Sequence, residues 1–167
     1  MSRAFKHMLL CLGFAVGLSL QQLVILPTDT MDSYEHPFAI ELGGAYVAEV
    51  ESNFEGQIPA RIGPNPAIFT LKNGRLSSGP WAMGRALMED KSAHPKKVYW
   101  FNETTPAERG IPDPTWRDYH SVTAQQTGES IKLLFSYAGG LIVKNGDQVF
   151  ADLNERDESK VVVMIKS

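Results

Sequence analysis

The sequence predicts an all-β domain, and three observations support this prediction. From about residue 38, short apolar runs recur along the chain and are separated by Gly, Pro, Asn and Asp. Helical periodicity is nearly absent from the same region. Two Lys-Asn-Gly phrases, at 72–74 and 144–146, each stand between two strand-like runs. Short strands that are spaced in this way by turn residues are typical of a β-sandwich or a β-barrel.

The two Lys-Asn-Gly phrases predict β-hairpins. A type I′ turn requires positive φ at both of its central residues, and Asn-Gly is the pair that adopts this conformation most readily. We therefore place turns at Asn73-Gly74 and at Asn145-Gly146. Because the sequences that flank the two turns do not match well, an internal repeat is not indicated, and a β-trefoil is the less favoured architecture.

Around these hairpins the apolar runs predict a single antiparallel domain, either a β-sandwich or a closed β-barrel. The last run, 160–166, is apolar on both faces, which favours a central position for this strand. The predicted strands lie at about 38–42, 45–51, 67–72, 75–78, 81–89, 96–101, 119–124, 130–137, 140–144, 148–153 and 159–166.

The N-terminus has the features of a secretory signal peptide. A basic head with Arg3, Lys6 and His7 is followed by 13 predominantly apolar residues, 8–20. This segment is too short to cross a bilayer, which requires about 20 residues. Gly17 and Ser19 suit the positions before a cleavage site, so we expect cleavage after Ser19. A second apolar patch extends to residue 26 and leaves an uncleaved membrane anchor as the alternative.

The chain therefore divides into a signal peptide at 1–19, a linker at 20–37 and a β domain at 38–167. Its single cysteine, Cys11, lies in the leader, so the cleaved protein would have no disulfide and no thiol nucleophile. Cleavage leaves 14 basic against 19 acidic residues, a net charge of −5. This charge does not favour nucleic acid as a partner, and it makes membrane association depend on a retained leader.

The segment 102–117 is irregular and is interrupted by prolines and a glycine. Long loops within compact domains are often functional. The loop begins with the sequon Asn102-Glu103-Thr104, which makes Asn102 a candidate N-glycosylation site if the protein is secreted.

Residues that could act in catalysis are few. Asp118 and His120 would share one face of a strand, so the carboxylate could orient the imidazole as a general base. Arg85 and Glu89 would also share a face, where a solvated ion pair is the simpler interpretation. The sequence has no metal-binding, phosphate-binding or dinucleotide-binding motif, and we expect no metal and no cofactor.

The aromatic residues give a stronger argument for binding. The run Tyr99-Trp100-Phe101 leads directly into the irregular loop, which carries Trp116 and is followed by Tyr119. Trp100 would face away from its two neighbours on a strand, so at least one ring of the run should lie on the less buried side. A partly exposed ring beside polar loop residues suits a sugar or another small ligand.

The sequence thus predicts a secreted or cell-surface, non-enzymatic binding protein. Its expected ligand is a carbohydrate or another small molecule, and its expected site is an aromatic surface formed by Trp100, Trp116 and Tyr119. The alternative is a cofactor-free cyclase or isomerase with a substrate pocket inside a β-barrel, using Asp118 and His120 with help from Arg85 or Glu89. A filled interior would favour the first hypothesis, and an enclosed cavity reached by Asp118 or His120 would favour the second.

Overall fold

The computed structural model describes residues 29–51, 56–104, 118–135 and 139–164. Within these ranges the protein is all-β, and all of its strand pairs are antiparallel. The predicted leader and Trp116 lie outside the described residues. The strands are β1 Thr30–Met31, β2 Tyr34–Leu42, β3 Ala45–Val47, β4 Gln57–Pro59, β5 Ile62–Gly63, β6 Phe69–Lys72, β7 Arg75–Ser78, β8 Trp81–Arg85, β9 Lys96–Asn102, β10 Thr123–Thr127, β11 Ser130–Leu134, β12 Leu141–Lys144, β13 Gln148–Ala151 and β14 Ser159–Val163.

The larger sheet curls on itself. Its strands follow the order β12-β13-β9-β8-β7-β6-β2-β3-β5, and β14 pairs with β2. The segment 57–63 pairs with this sheet at two separate places. Its first strand, β4, pairs with β9, and its second strand, β5, pairs with β3. The smaller sheet has the order β1-β10-β11.

Both predicted hairpins are present. Lys72 pairs with Arg75 across Asn73 and Gly74, whose φ values of 51° and 71° are those that a two-residue turn of this kind requires. The second hairpin also has positive φ at its Asn-Gly pair. Its loop differs in length, because Lys144 pairs with Gln148 and three residues lie between them.

Several strands differ from the sequence-based prediction. The prediction does not include β4 and β5, which have only three and two residues. Ordered structure also begins before residue 38, because β1 and the first part of β2 lie within the predicted linker. In the described part of the chain β14 pairs with β2 alone, and its residues are half-buried or exposed, so it does not lie centrally between two layers as predicted.

The main core draws its buried residues from both sheets. Its centre is an aromatic stack in which the Trp100 ring lies 5.5 Å from the Phe69 ring, with 6° between their planes. Phe69 is stacked in turn on Phe38 at 6.1 Å. Aliphatic side chains surround the stack and are completely buried, including Ile40, Leu42, Val47, Leu76, Met83, Val98, Leu133 and Leu141.

Candidate functional site

The predicted aromatic surface does not form at Trp100. This side chain is only 2% exposed and belongs to the main core, as does Val98 two residues before it on β9. Tyr119 is also buried, at 4% exposure. Of the three predicted rings, two therefore lie inside the protein, and Trp116 lies outside the described residues.

The other two rings of the aromatic run face the opposite side of β9. Tyr99 and Phe101 contact each other edge to face, with ring centroids 6.4 Å apart, and Phe101 lies 5.0 Å from Tyr119. Phe101 and Tyr119 form a second, smaller core with Ala82 and Ala86, and the half-buried Tyr99 packs on its edge. Tyr99 is thus the ring of the run that lies on the less buried side.

Gly84 explains how Tyr119 approaches β8 so closely. A Cβ atom at position 84 would lie 3.2 Å from the Cβ and Cδ2 atoms of Tyr119, tighter than an ordinary van der Waals contact. The Tyr119 hydroxyl donates a hydrogen bond to the Glu103 carboxylate, which also pairs with Arg75 at 3.3 Å. These contacts fix Tyr119 as a structural residue of the smaller core.

The backbone of two candidate catalytic residues, Asp118 and His120, pairs with the end of β8. Ala86 and Tyr119 form an antiparallel bridge, flanked by hydrogen bonds from the His120 N–H to the Arg85 carbonyl and from the Leu87 N–H to the Asp118 carbonyl, both 2.9 Å. His120 is therefore opposite Arg85 in the bridge. The fold thus places the Asp118-Tyr119-His120 segment beside the end of β8.

Arg85 forms the predicted ion pair with Glu89, but the pair is not solvated. Their side chains are only 10% and 18% exposed, and the Arg85 guanidinium also donates to the Phe135 carbonyl at 3.0 Å. Arg85 therefore links the end of β8 to the main core. Its donors are used in structural contacts, which leaves its charge poorly available to a substrate.

A pocket with a volume of 390 Å³ lies beside Tyr99, and we call it the Tyr99 pocket. Residues from four parts of the chain surround it: the β4 strand, the loop 86–95, the first half of β9 and the β13 strand. They are Gln57, Ala86, Met88, Glu89, Asp90, Pro95, Lys96, Lys97, Tyr99 and Phe150.

The loop 86–95 is held in place by the buried Lys96. Its ammonium donates to the Asp90 carboxylate and the Asp90 carbonyl, both at 2.7 Å, and to the Ser92 hydroxyl at 3.0 Å. The Asp90 carboxylate also accepts the Ser92 N–H at 2.9 Å. The Lys96 hydrogen bond, together with those from Ser92, holds the pKa of Asp90 well below its usual range. The loop that forms one wall of the pocket is thus fixed by charge-assisted contacts.

The wall of the pocket offers three kinds of contact to a ligand. The Tyr99 ring provides a partly exposed flat surface, and its hydroxyl can donate or accept a hydrogen bond. Lys97 and Gln57 are exposed polar side chains on the same pocket. At the rim, Met88 is 94% exposed and supplies a flexible apolar side chain. This combination can bind a polar molecule that also has an apolar face.

Neither Trp100 nor Tyr119 lines the Tyr99 pocket. The sequence places Tyr99 within the aromatic run and suggests Glu89 only as a possible catalytic residue, and it does not predict Gln57, Lys97 or Phe150 as their neighbours. Phe150 and Lys97 are brought together by the pairing of β13 with β9. No local signal relates residues so distant in the sequence, so their proximity could be found only from the fold.

The sequon at Asn102 lies at the end of β9. The Asn102 side-chain carbonyl accepts the Thr104 N–H at 2.9 Å, so the sequon is folded into a turn. Asn102 itself is half-buried. The side-chain amide nitrogen, which is the atom that N-glycosylation modifies, does not take part in this hydrogen bond.

No group of three His, Cys, Asp or Glu side chains in the described ranges has a geometry that could hold a metal ion. The Tyr99 pocket and two further surface grooves are open to solvent, and neither Asp118 nor His120 lines any of the three. Compared with protein-family models, curated proteins and solved structures, the chain has no significant match.

Proposed function

We propose that this protein is a secreted or cell-surface binding domain without enzymatic activity, and that it binds a carbohydrate or another small polar molecule in the Tyr99 pocket. The observation that carries the proposal is the half-buried Tyr99 ring at the edge of an open pocket of 390 Å³. Its volume is in the range of small-ligand sites, roughly 300 to 1,000 Å³. The proposed binding ring is therefore Tyr99, and no longer the predicted set of Trp100, Trp116 and Tyr119.

The chemistry of the pocket favours a sugar over a purely apolar ligand. Pyranose rings have an apolar face that can lie on an aromatic ring and hydroxyl groups that require donors and acceptors at the edge. Tyr99 would supply the former, and Gln57, Lys97 and Asp90 the latter. The ion pair between Lys96 and Asp90 keeps the loop fixed before binding, which reduces the entropy cost of association.

We also propose that the larger sheet is a closed β-barrel, in preference to a sandwich or a trefoil. The support is the double pairing of the segment 57–63, which joins the β9 end of the series to the β3 end. The aromatic stack of Trp100, Phe69 and Phe38 occupies the interior of such a barrel. A filled interior favours ligand binding on the outer surface.

The proposed location rests on the leader. We propose that residues 1–19 are a cleaved signal peptide and that Asn102 carries an N-linked glycan after secretion. If the chain is retained as an anchor through residue 26, the same domain would be displayed on a membrane. No helix in the described ranges is long and apolar enough to span a bilayer. Mass spectrometry of the secreted protein should find Ser19 removed, whereas an intact Met1 would contradict cleavage.

The binding proposal is tested with a panel of soluble oligosaccharides of glucose, N-acetylglucosamine, mannose and galactose. We expect at least one of them to bind, and Tyr99→Ala to weaken that binding by roughly tenfold, which corresponds to about 1.4 kcal/mol. Tyr46→Ala is the matched control, because Tyr46 is also half-buried on a strand but does not line the pocket. Equal affinity of the Tyr99→Ala variant and the parent would contradict the proposal.

A second candidate function is a cofactor-free cyclase or isomerase, and one observation favours it. The bridge between Ala86 and Tyr119 places His120 opposite Arg85, so potential acid and base groups lie at one end of β8. Under this hypothesis, His120→Gln would abolish turnover of a bound ligand without weakening its binding. If a ligand of the Tyr99 pocket is recovered chemically unchanged after prolonged incubation, the enzymatic alternative is excluded for that ligand.

A further inference from the structure

The charges around the Tyr99 pocket do not cancel. Among the described residues, four charged side chains line it: Glu89, Asp90, Lys96 and Lys97. Both carboxylates already have a cationic partner, because Glu89 is paired with Arg85 and the Lys96 ammonium donates to Asp90 at 2.7 Å. Each of these two ion pairs is neutral as a unit. The positive charge of Lys97 is therefore left without compensation on the pocket wall.

The donors of the two paired cations are used within the protein. An ammonium has three N–H donors, and that of Lys96 has three acceptors: the Asp90 carboxylate, the Asp90 carbonyl and the Ser92 hydroxyl. The Arg85 guanidinium donates to the Glu89 carboxylate and to the Phe135 carbonyl. An anion that enters the pocket would therefore find its charged donor at Lys97.

Lys97 is well placed to act together with Tyr99. The two residues stand two positions apart on β9, so their side chains project from the same face of the strand. Lys97 is exposed, and no carboxylate in the described part of the chain forms an ion pair with it. Two residues of a strand span about 7 Å. A ligand whose ring lies on Tyr99 can therefore also reach Lys97.

A second lysine lies on the same side of the pocket. Phe150, which lines the pocket, is directly opposite Lys97 in the pairing of β13 with β9, so the two side chains share one face of the sheet. The Lys144 ammonium lies 5.9 Å from the centre of the Phe150 ring. The Asp147 carboxylate of the same hairpin binds Arg61 through both of its oxygens, at 2.7 and 2.8 Å. The β13 side of the pocket is therefore positive, on a chain whose net charge is −3.

We infer that the ligand of the Tyr99 pocket is an acidic sugar, whose carboxylate or sulfate group is bound by Lys97. This inference rests on the carbohydrate binding proposed above and names the class of sugar. The anionic group of such a sugar extends from the edge of its pyranose ring. The ring can therefore lie on Tyr99 while the anionic group accepts a hydrogen bond from the Lys97 ammonium, and Lys144 adds a longer-range attraction.

The same pocket limits how much charge the ligand can carry. The Asp90 side chain is 71% exposed although it is paired with Lys96, and Glu89 lines the pocket beside it. A second anionic group that pointed towards the loop 86–95 would meet these two carboxylates. We therefore expect the bound sugar to direct a single anionic group to the β13 side of the pocket, and a densely charged polyanion to be disfavoured.

The test compares sugars that differ only in charge. Trigalacturonate and its fully methyl-esterified form have the same rings, and a galactose disaccharide with and without one sulfate group provides the second pair. In isothermal titrations at low ionic strength, we expect at least one acidic sugar to bind about fivefold more tightly than its neutral partner. Lys97→Gln should remove this preference and leave the affinity for the neutral sugar largely unchanged, because the glutamine amide keeps a hydrogen-bond donor.

Two controls separate binding at Lys97 from a general effect of charge. Lys160→Gln is the matched variant, because Lys160 is also an exposed lysine on a strand but does not line the pocket. It should keep the full preference for the acidic sugar. Added salt should weaken the binding of the acidic sugar and leave that of its neutral partner unchanged, since ions screen an exposed pair of charges.

The outcomes distinguish this inference from the proposed function. If each acidic sugar binds no more tightly than its neutral partner while Tyr99→Ala weakens both, the inference is overturned and the carbohydrate site stands. A Lys97→Gln variant that keeps the full preference for the acidic sugar also overturns it, because another group would then bind the anion. If neither acidic nor neutral sugars bind the parent, the proposed function fails together with the inference.

Discussion

The two faces of β9 have different roles, although the residues that form them are adjacent in the sequence. Trp100 lies in the main core and is stacked on Phe69, while Tyr99 and Phe101 lie on the outer face beside Tyr119. The inner face is a continuous hydrophobic core. The outer face is a small aromatic cluster that ends at an open pocket. Within one aromatic run, Trp100 thus belongs to the main core, and our proposal assigns ligand binding to its neighbour Tyr99.

This difference follows from the composition of the two clusters. Among the described residues, the main core has 20 buried members from many strands, so the loss of one large side chain leaves a cavity that its neighbours cannot fill. The smaller core has four buried members in the same ranges and is anchored by the hydrogen bond between Tyr119 and Glu103. Substitutions on the outer face should therefore cost less stability and affect function more. Four predictions test this comparison.

The largest expected effect is that of Trp100→Ala. Removal of the stacked indole would leave a cavity in the centre of the main core and should lower the free energy of unfolding by about 3 to 5 kcal/mol. Chemical denaturation of the parent and the variant measures this change. A loss below 1 kcal/mol would show that the interior face of β9 is not the main source of stability.

The second effect is that of Gly84→Val on the outer face. The new side chain would collide with Tyr119, whose Cβ lies 3.2 Å from the position of the added Cβ. The collision would displace the segment 118–120 from the end of β8. We expect a loss of roughly 1 to 3 kcal/mol. Tyr119→Phe is the companion variant, because it removes the hydroxyl that donates to Glu103 and should cost about 1 kcal/mol. If Gly84→Val were neutral while Tyr119→Phe was not, the close packing at Gly84 would be disproved.

How far the sequence predicts this fold depends on how local each signal is. The Asn-Gly pairs at 73–74 and 145–146 located both hairpins, because their positive φ values are a property of the residues themselves. The short β4 and β5 strands have no alternating pattern of sufficient length and were not predicted. They exist because β9 and β3 provide partners for them.

The site was predictable only in part. Alternation along β9 correctly separated Trp100 from Tyr99 and Phe101, but it could not show which side faces the main core, because both sides are aromatic. The lining of the pocket by Gln57 and Phe150 depends on strand pairing over long sequence separations. The burial of the ion pair between Arg85 and Glu89 has the same origin, since Arg85 also binds the Phe135 carbonyl.

The third prediction concerns pH and the loop that borders the pocket. The pKa of Asp90 is lowered in the folded protein, chiefly by the Lys96 hydrogen bond, so the carboxylate contributes stability above the ordinary Asp pKa of about 4. That contribution is lost as the pH falls through the lowered folded pKa. NMR spectra should therefore show the Ser92 amide unchanged from pH 7 to pH 4 and shifted only in stronger acid. Asp90→Asn should remove this transition. A shift of the Ser92 amide near pH 4 in the parent would contradict the lowered pKa of Asp90 and the Lys96 hydrogen bond that causes it.

The fourth prediction has the smallest effect on stability and the largest on function. Tyr99 lies at the edge of the smaller core and is half-buried, so Tyr99→Ala should cost only about 1 kcal/mol of folding free energy, less than a buried aromatic. Thermal denaturation, with Tyr46→Ala measured in parallel, checks this value. A loss of 3 kcal/mol or more would place Tyr99 among the core residues and remove the distinction between the two faces.

The most direct test of the central claim is isothermal titration of the oligosaccharide panel into the parent, Tyr99→Ala and Tyr46→Ala proteins. The proposed division of β9 predicts that an oligosaccharide bound by the parent is bound about tenfold more weakly by Tyr99→Ala and equally well by Tyr46→Ala. If Tyr99→Ala binds as the parent does, or if the parent binds none of the sugars, the Tyr99 pocket is not the carbohydrate site proposed for this protein.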